Sequence, residues 1–140
     1  KSLNSMGVKI NFISDGDVLG VISVAIPKSN IDIYVGIGGA PEGVLAAAAL
    51  NCLECQMQTR LVFQNTNQKN KAMELGIKDL SKKYNIDDMV KNDVIFCATG
   101  VTDGDLVKGI KDLGNSFQSE TLVLHKSSKI NKIIKNQLKK

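Results

Sequence analysis

Apolar residues along this chain fall in short runs, each broken by glycine, aspartate, asparagine or proline, and the runs alternate between strand-like and helix-like patterns. Val8 to Ser14 reads as a strand. Asp15-Gly16-Asp17 then turns the chain into a short helix over Val18 to Ala25, and Pro27-Lys28-Ser29-Asn30 connects onward. In Asp32 to Ile37, the side chains Ile33, Val35 and Ile37 suit a buried strand. Pro41 to Leu53 reads as a helix: Pro41 fits a first turn, where its missing N–H has no intrahelical partner, and Ala46 to Ala49 has the highest helix propensity available. Gln58 to Phe63 is expected as a strand, Asn67 to Leu75 and Ile77 to Tyr84 as helices, and Asp93 to Thr99 as a buried strand ending at Gly100. Thr121 to His125 is expected as the last strand. Alternating strands and helices argue for an α/β fold with a mostly parallel or mixed sheet flanked by helices, in which ligands collect at the carboxyl ends of strands.

Composition narrows the class. A length of 140 residues fits one domain or one lobe of a larger protein. With no tryptophan and 4% aromatic residues, the core has to be aliphatic. No apolar run is long enough to span a membrane, and three cysteines without a secretory signal read as reduced thiols in a cytoplasmic protein. A first residue of Lys1 rather than methionine reads as a piece of a longer sequence. The net charge of +4 belongs to one end: Lys126, Lys129, Lys132, Lys135, Lys139 and Lys140 have no acidic residue among them. Residues 126–140 are therefore set apart as a basic tail behind a lobe of residues 1–125. Ile130, Ile133, Ile134 and Leu138 make an apolar stripe if the tail is helical, the pattern of a membrane-surface or nucleic-acid arm, but a last strand and frayed helix with solvated lysines is the expectation. Neither nucleic acid nor membrane is expected as a partner.

Candidate chemistry concentrates at Gly36 to Gly43. Gly36, Gly38 and Gly39 let the backbone turn sharply and approach a ligand, and Glu42 stands where strand gives way to helix, beside free backbone N–H groups. This suits a phosphate, a metal ion or both; a tight turn with an acid that complements the helix dipole is the competing reading. The spacing is neither a dinucleotide fingerprint nor a Walker loop. In Asp15-Gly16-Asp17, two carboxylates can bind sugar hydroxyls or a cation, whereas capping accounts well for only one of them. Thr102-Asp103-Gly104-Asp105 echoes it. Cys52-Leu53-Glu54-Cys55 closes a helix rather than opening one, so ordinary thiols are expected there, and the lone His125 is given no role.

These segments together resemble the C-terminal portion of class II fructose-1,6-bisphosphatase of the GlpX type. The matching stretches are Ser14-Asp15-Gly16-Asp17-Val18, Val35 to Val44, Cys52-Leu53 with Gln56 to Leu61, and Ala98 to Leu106, in matching order and spacing over most of the chain. The resemblance implies the C-terminal lobe of an inositol-monophosphatase/fructose-bisphosphatase-like superfamily member. It also implies a metal-dependent phosphatase converting fructose 1,6-bisphosphate and water to fructose 6-phosphate and phosphate, an activity of carbohydrate metabolism and gluconeogenesis. By position, Glu42 becomes a ligand of a divalent cation, Mg or Mn. Asp15, Gly16 and Asp17 contact the sugar, and the backbone of Gly39 lies against it; no catalytic residue falls in this chain. The partners implied are fructose 1,6-bisphosphate or a related sugar bisphosphate, the N-terminal half that supplies most ligating carboxylates, and a further copy in a homo-oligomer. The chain also departs from the family pattern. Glu54 and Cys55 stand where two glycines are usual, Thr59 replaces a glycine before Arg60, and Ser116 to Glu120 replaces a more Gly/Thr-rich stretch. The chain alone is expected to be inactive; the alternative is a non-catalytic sugar-phosphate-binding or oligomerising remnant.

Overall fold

A ten-residue strand organises the molecule. In the computed structural model, which describes residues 2–13, 16–26 and 28–140, strand β5 (Ser116–His125) is paired along both edges. On one edge lie β3 (Ile95–Thr99), in register Ile95↔His125 to Thr99↔Thr121, and the short β4 (Lys111–Asp112) further along. On the other edge lies β6 (Ile130–Lys139), paired from Ser116↔Lys139 to His125↔Ile130. A separate two-stranded ladder joins β1 (Gln58–Arg60) to β2 (Lys83–Asn85).

Every ladder among the described residues is antiparallel. The presence of flanking helices is as expected, but this pairing corrects the mostly parallel or mixed sheet expected from the sequence. β5 and β6 are joined by a tight turn in which Lys126 accepts from the Lys129 N–H at 3.2 Å and Lys129 takes φ 51°, and such a turn makes antiparallel neighbours. The two segments that carried the parallel expectation, residues 8–13 and 32–37, join no ladder among the described residues; Ser14 lies outside them. Residues 130–139, set apart with the basic tail and expected as a last strand and frayed helix rather than a helical stripe, are a full strand of the sheet.

The helices are α1 (Ser2–Ser5), α2 (Asp17–Ser23), α3 (Ala40–Cys52), α4 (Thr66–Glu74) and α5 (Ile86–Met89). The buried face of the larger sheet follows the period of two: Leu122 and Leu124 on β5 stand opposite Ala98 and Phe96 on β3. Phe96, Leu122 and Leu124 form a core with Ile22 of α2 and Ala49 of α3. A second core joins Ala47 and Leu50 of α3 to Ile86 of α5. The alanine run thus does more than favour helix: small side chains on two sides of α3 let it sit close between both cores. The expected helix over Ile77 to Tyr84 does not form. The Asp79 carboxylate accepts from Ser81 N–H at 2.8 Å and from its hydroxyl at 2.6 Å, which makes a turn, and Tyr84 then pairs with Thr59.

Two helices end in the same motif with different residues. After α4, Ile77 N–H donates to Ala72 C=O and Gly76 N–H to Met73 C=O, with Gly76 at φ 93°. After α3, Cys55 N–H donates to Leu50 C=O at 3.0 Å and Glu54 N–H to Asn51 C=O at 3.4 Å, but the left-handed position is held by Glu54 at φ 56°. A side chain in that conformation costs about 1–2 kcal/mol, and here it stands where glycine is usual in the resembling family. Glu54→Gly is therefore expected to raise the stability of the chain by about 0.5–1 kcal/mol, the relief of strain being partly offset by the larger unfolded-state freedom of glycine. The exposed Glu54–Lys129 ion pair at 3.3 Å adds little against this. A urea midpoint that does not rise in the variant would contradict it.

Candidate functional site

The candidate site is built from α2, the chain leading into α3, and the loop after β3. Helix α2 begins at Asp17, and its N-cap is Gly16 at φ 81°, a conformation natural to glycine. The expected N-terminal capping by an aspartate is therefore not made at the N-cap itself. Asp15 lies outside the described residues.

Tyr34 fastens α2 to the next segment. A Cβ placed on Gly20 of α2 would meet the Tyr34 ring at 2.8 Å, and one placed on Gly36 would collide with the same ring. Both glycines are thus required by a half-buried aromatic wedged between helix and strand-like segment. The wedge sets the spacing between the start of α2 and the turn that runs through Gly38 and Gly39 into α3.

At that turn Gly39 is the N-cap of α3 with φ −68° and ψ 153°, Pro41 sits in the first turn, and Glu42 follows. Glycine brings no side chain to cap the first turn. The Glu42 carboxylate folds back over Gly39 and occupies the place a Cβ would take. Gly39 and Glu42 are therefore coupled: a Cβ at position 39 would displace the carboxylate, the far end of a flexible exposed side chain, from its place against the backbone.

The loop 100–110 closes on the same region. Leu106 and Val107 pack against the core formed by Ile22 and its neighbours, as does Val18 of α2. Asp103 accepts from Gly109 N–H at 2.9 Å, which assigns it a loop-holding role. Glu120 accepts from Lys108 N–H at 2.9 Å and pairs with Lys135 at 3.1 Å; these bonds hold its carboxyl below the usual range. The loop after β3 and the segment before α3 thus both pack on α2 or the core it enters, though not as carboxyl ends of parallel strands.

Two features were not visible in sequence. His125 Nε2 donates to the Asp93 carboxylate at 2.8 Å and its Nδ1 meets Ser128 Oγ at 2.6 Å, and Ser127 Oγ donates to Asp93 at 2.7 Å. Bonds from Ser127, then His125, push the Asp93 carboxyl down to about 2. This cluster ties the β5–β6 turn to the entry of β3. Only the register Ile95↔His125 would have shown it. The other is Asn51, 5% exposed at the end of α3, whose side-chain Nδ2 has no partner among the described residues. It borders a shallow depression with Glu54, Gln56, Gln58 and Lys126, at the end of α3 opposite to Glu42. Cys52, Cys55 and Cys97 are free thiols, and burial pushes the Cys52 thiol up.

Comparison with known proteins decides the family. The model described as bacterial fructose-1,6-bisphosphatase, glpX-encoded, matches residues 1–138. The chain belongs to this family. It is 38% identical to the class 2 fructose-1,6-bisphosphatase of Haemophilus influenzae, over 95% of this chain and 44% of that protein. It is 38% identical to fructose-1,6-bisphosphatase 1 class 2 of Escherichia coli, over 91% of this chain and 42% of that protein. Against the D-fructose 1,6-bisphosphatase class 2/sedoheptulose 1,7-bisphosphatase of a Synechococcus strain it is 32% identical, over 92% of this chain and 41% of that protein. The chain thus spans less than half the length of these relatives. Within this GlpX-type family member, the described residues contain no group of three or more His, Cys, Asp or Glu side chains placed to hold a metal ion. No helix among them is long and apolar enough to cross a membrane.

Proposed function

We propose that this chain is the C-terminal lobe of a sugar-bisphosphate phosphatase of the inositol-monophosphatase-like superfamily, acting on fructose 1,6-bisphosphate or a related sugar bisphosphate and active when joined to its N-terminal half. One observation carries the proposal. Helix α2 and the segment that leads into the Gly39–Glu42 turn, both within the family match, meet where the Tyr34 ring lies close against Gly20. In this reading Asp15, Gly16 and Asp17 meet sugar hydroxyls, which carboxylates bind strongly as acceptors. The backbone of Gly39 lies against the sugar, and the N-terminal end of α3 faces the phosphate.

Glu42 is proposed as one ligand of a divalent cation, Mg or Mn. The described residues do not complete such a site: they bring one carboxylate, and a hard cation needs several oxygen ligands. The rest of the coordination therefore belongs to the N-terminal half, and the chain alone is expected to be nearly inert.

The test is phosphate release from fructose 1,6-bisphosphate with added Mg or Mn, by the chain alone and by the chain joined to an N-terminal half. Turnover in the joined protein and almost none in the chain is the expected result. A joined protein that binds the sugar phosphate without releasing phosphate would favour a non-catalytic remnant. Strong release by the chain alone would refute the dependence on the other half.

A further inference from the structure

Among the described residues, three of the most exposed large apolar side chains alternate along one segment. Ile33, Val35 and Ile37 are 78%, 89% and 81% exposed, and Phe12, in the other unladdered segment, is 93% exposed. Between them Tyr34 turns the opposite way, half-buried against Gly20. The segment 32–37 therefore has the alternation of a strand, with one side packed on α2 and the other bare. Its residues join no ladder among the described residues. A strand-patterned segment with a bare apolar side is unfinished in two respects, since it lacks strand neighbours and it lacks a covering layer.

We infer that the strip Ile33–Val35–Ile37 is the surface on which the remaining portion of the phosphatase docks, by adding strand to this segment and laying an apolar face over those side chains. The inference rests on the family reading above. Two observations select this occupant over a second copy of the chain. The relatives carry more than half of their length outside the matched region, enough chain to supply both strand and layer. The strip also runs directly into Gly39 and Glu42, so a polypeptide seated on it arrives where the described residues gather no group of metal-ligating side chains around Glu42. Docking and completion of the site are then one event.

The test co-expresses the full chain with the part of the Haemophilus influenzae relative that it does not match, and reads co-purification and amide exchange. The wild-type chain is expected to co-purify in equal amounts, with exchange at residues 32–37 slowed at least about tenfold. Val35→Asp should reduce the recovered complex at least about tenfold, whereas Leu138→Asp on β6, also exposed, should leave it unchanged. Both side chains are in solvent, so circular dichroism and urea midpoints of the isolated variants should match wild type. No complex with wild type, equal recovery with Val35→Asp, or a dimer of the chain alone that protects residues 32–37 would each overturn the inference. A complex that forms but releases no phosphate would sink the phosphatase reading and leave the docking surface standing.

Discussion

Replacing Leu124 by alanine should destabilise the chain by about 3–4 kcal/mol, within the range for a leucine truncated in a core that cannot fully collapse. Leu124 is 0% exposed on the central strand, opposite Phe96 and in one cluster with Ile22 of α2 and Ala49 of α3. The effect should be large because the core is lean. Of the apolar residues buried among those described, Ala46, Ala47, Ala49 and Ala72 contribute little area, and only Ile22, Leu50 and Leu124 are large and almost fully enclosed. No neighbour is free to fill the gap: β3 and β6 fix the strand on both edges, and the alanine facing it on α3 has no side-chain freedom. Against a typical net stability of about 5–15 kcal/mol, such a loss leaves a marginal fold. Leu138→Ala on the exposed part of β6 should change stability by less than about 0.5 kcal/mol. Urea unfolding of the two variants with unchanged slope checks both; a Leu124→Ala midpoint close to wild type would show that the two cores are not one cooperative unit.

Local determinants were legible where they act alone. Pro41 and the alanine run produce α3 within one residue of the expected bounds, and the apolar run before Gly100 produces β3, though as Ile95–Thr99 with only Phe96 buried and not as the buried strand expected from Asp93. What failed depends on partners far along the chain. Lys126 to Lys140 reads as a tail because lysine is common on solvated ends, yet β6 is held by the whole length of β5. Its lysines are those of an edge strand, where charge discourages further pairing. Tyr84 looked helical until its pairing with Thr59 is known. The segment Asp32–Ile37 is instructive in the other direction. Its pattern is that of a buried strand, and the structure leaves it bare, so the pattern describes a burial that the described residues do not provide. In the candidate site, Gly39 and Glu42 were readable as a turn at a helix start. The Tyr34 wedge was not, because the need for glycine at positions 20 and 36 comes from a ring carried on a different element in the first case. Glu54 shows the same limit: its strain follows from the closing bonds of α3, which composition does not reveal.

The proposed role of Glu42 predicts the largest functional effect. In the chain joined to its N-terminal half, Glu42→Gln should lower turnover at least about 100-fold, since partners one step further from a metal already cost 10–100-fold when removed and a neutral amide is a poor ligand for a hard cation. Folding should hardly change, because the side chain is exposed on the first turn of α3 and enters no core cluster. Gly39→Ala separates placement from charge. The new Cβ would fall where the Glu42 carboxylate lies, so the carboxylate has to swing away although its charge is kept. Turnover should fall in this variant too. The isolated chain gives a readout that needs no activity, since the side-chain carboxyl resonance of Glu42 should shift in Gly39→Ala and stay put in a control such as Gly43→Ala, where a Cβ meets nothing within 4 Å. Full turnover in Glu42→Gln would remove Glu42 from the site. A lost turnover in Glu42→Gln with an unmoved Glu42 resonance and full activity in Gly39→Ala would keep the residue but show that the folded-back carboxylate is not its working position.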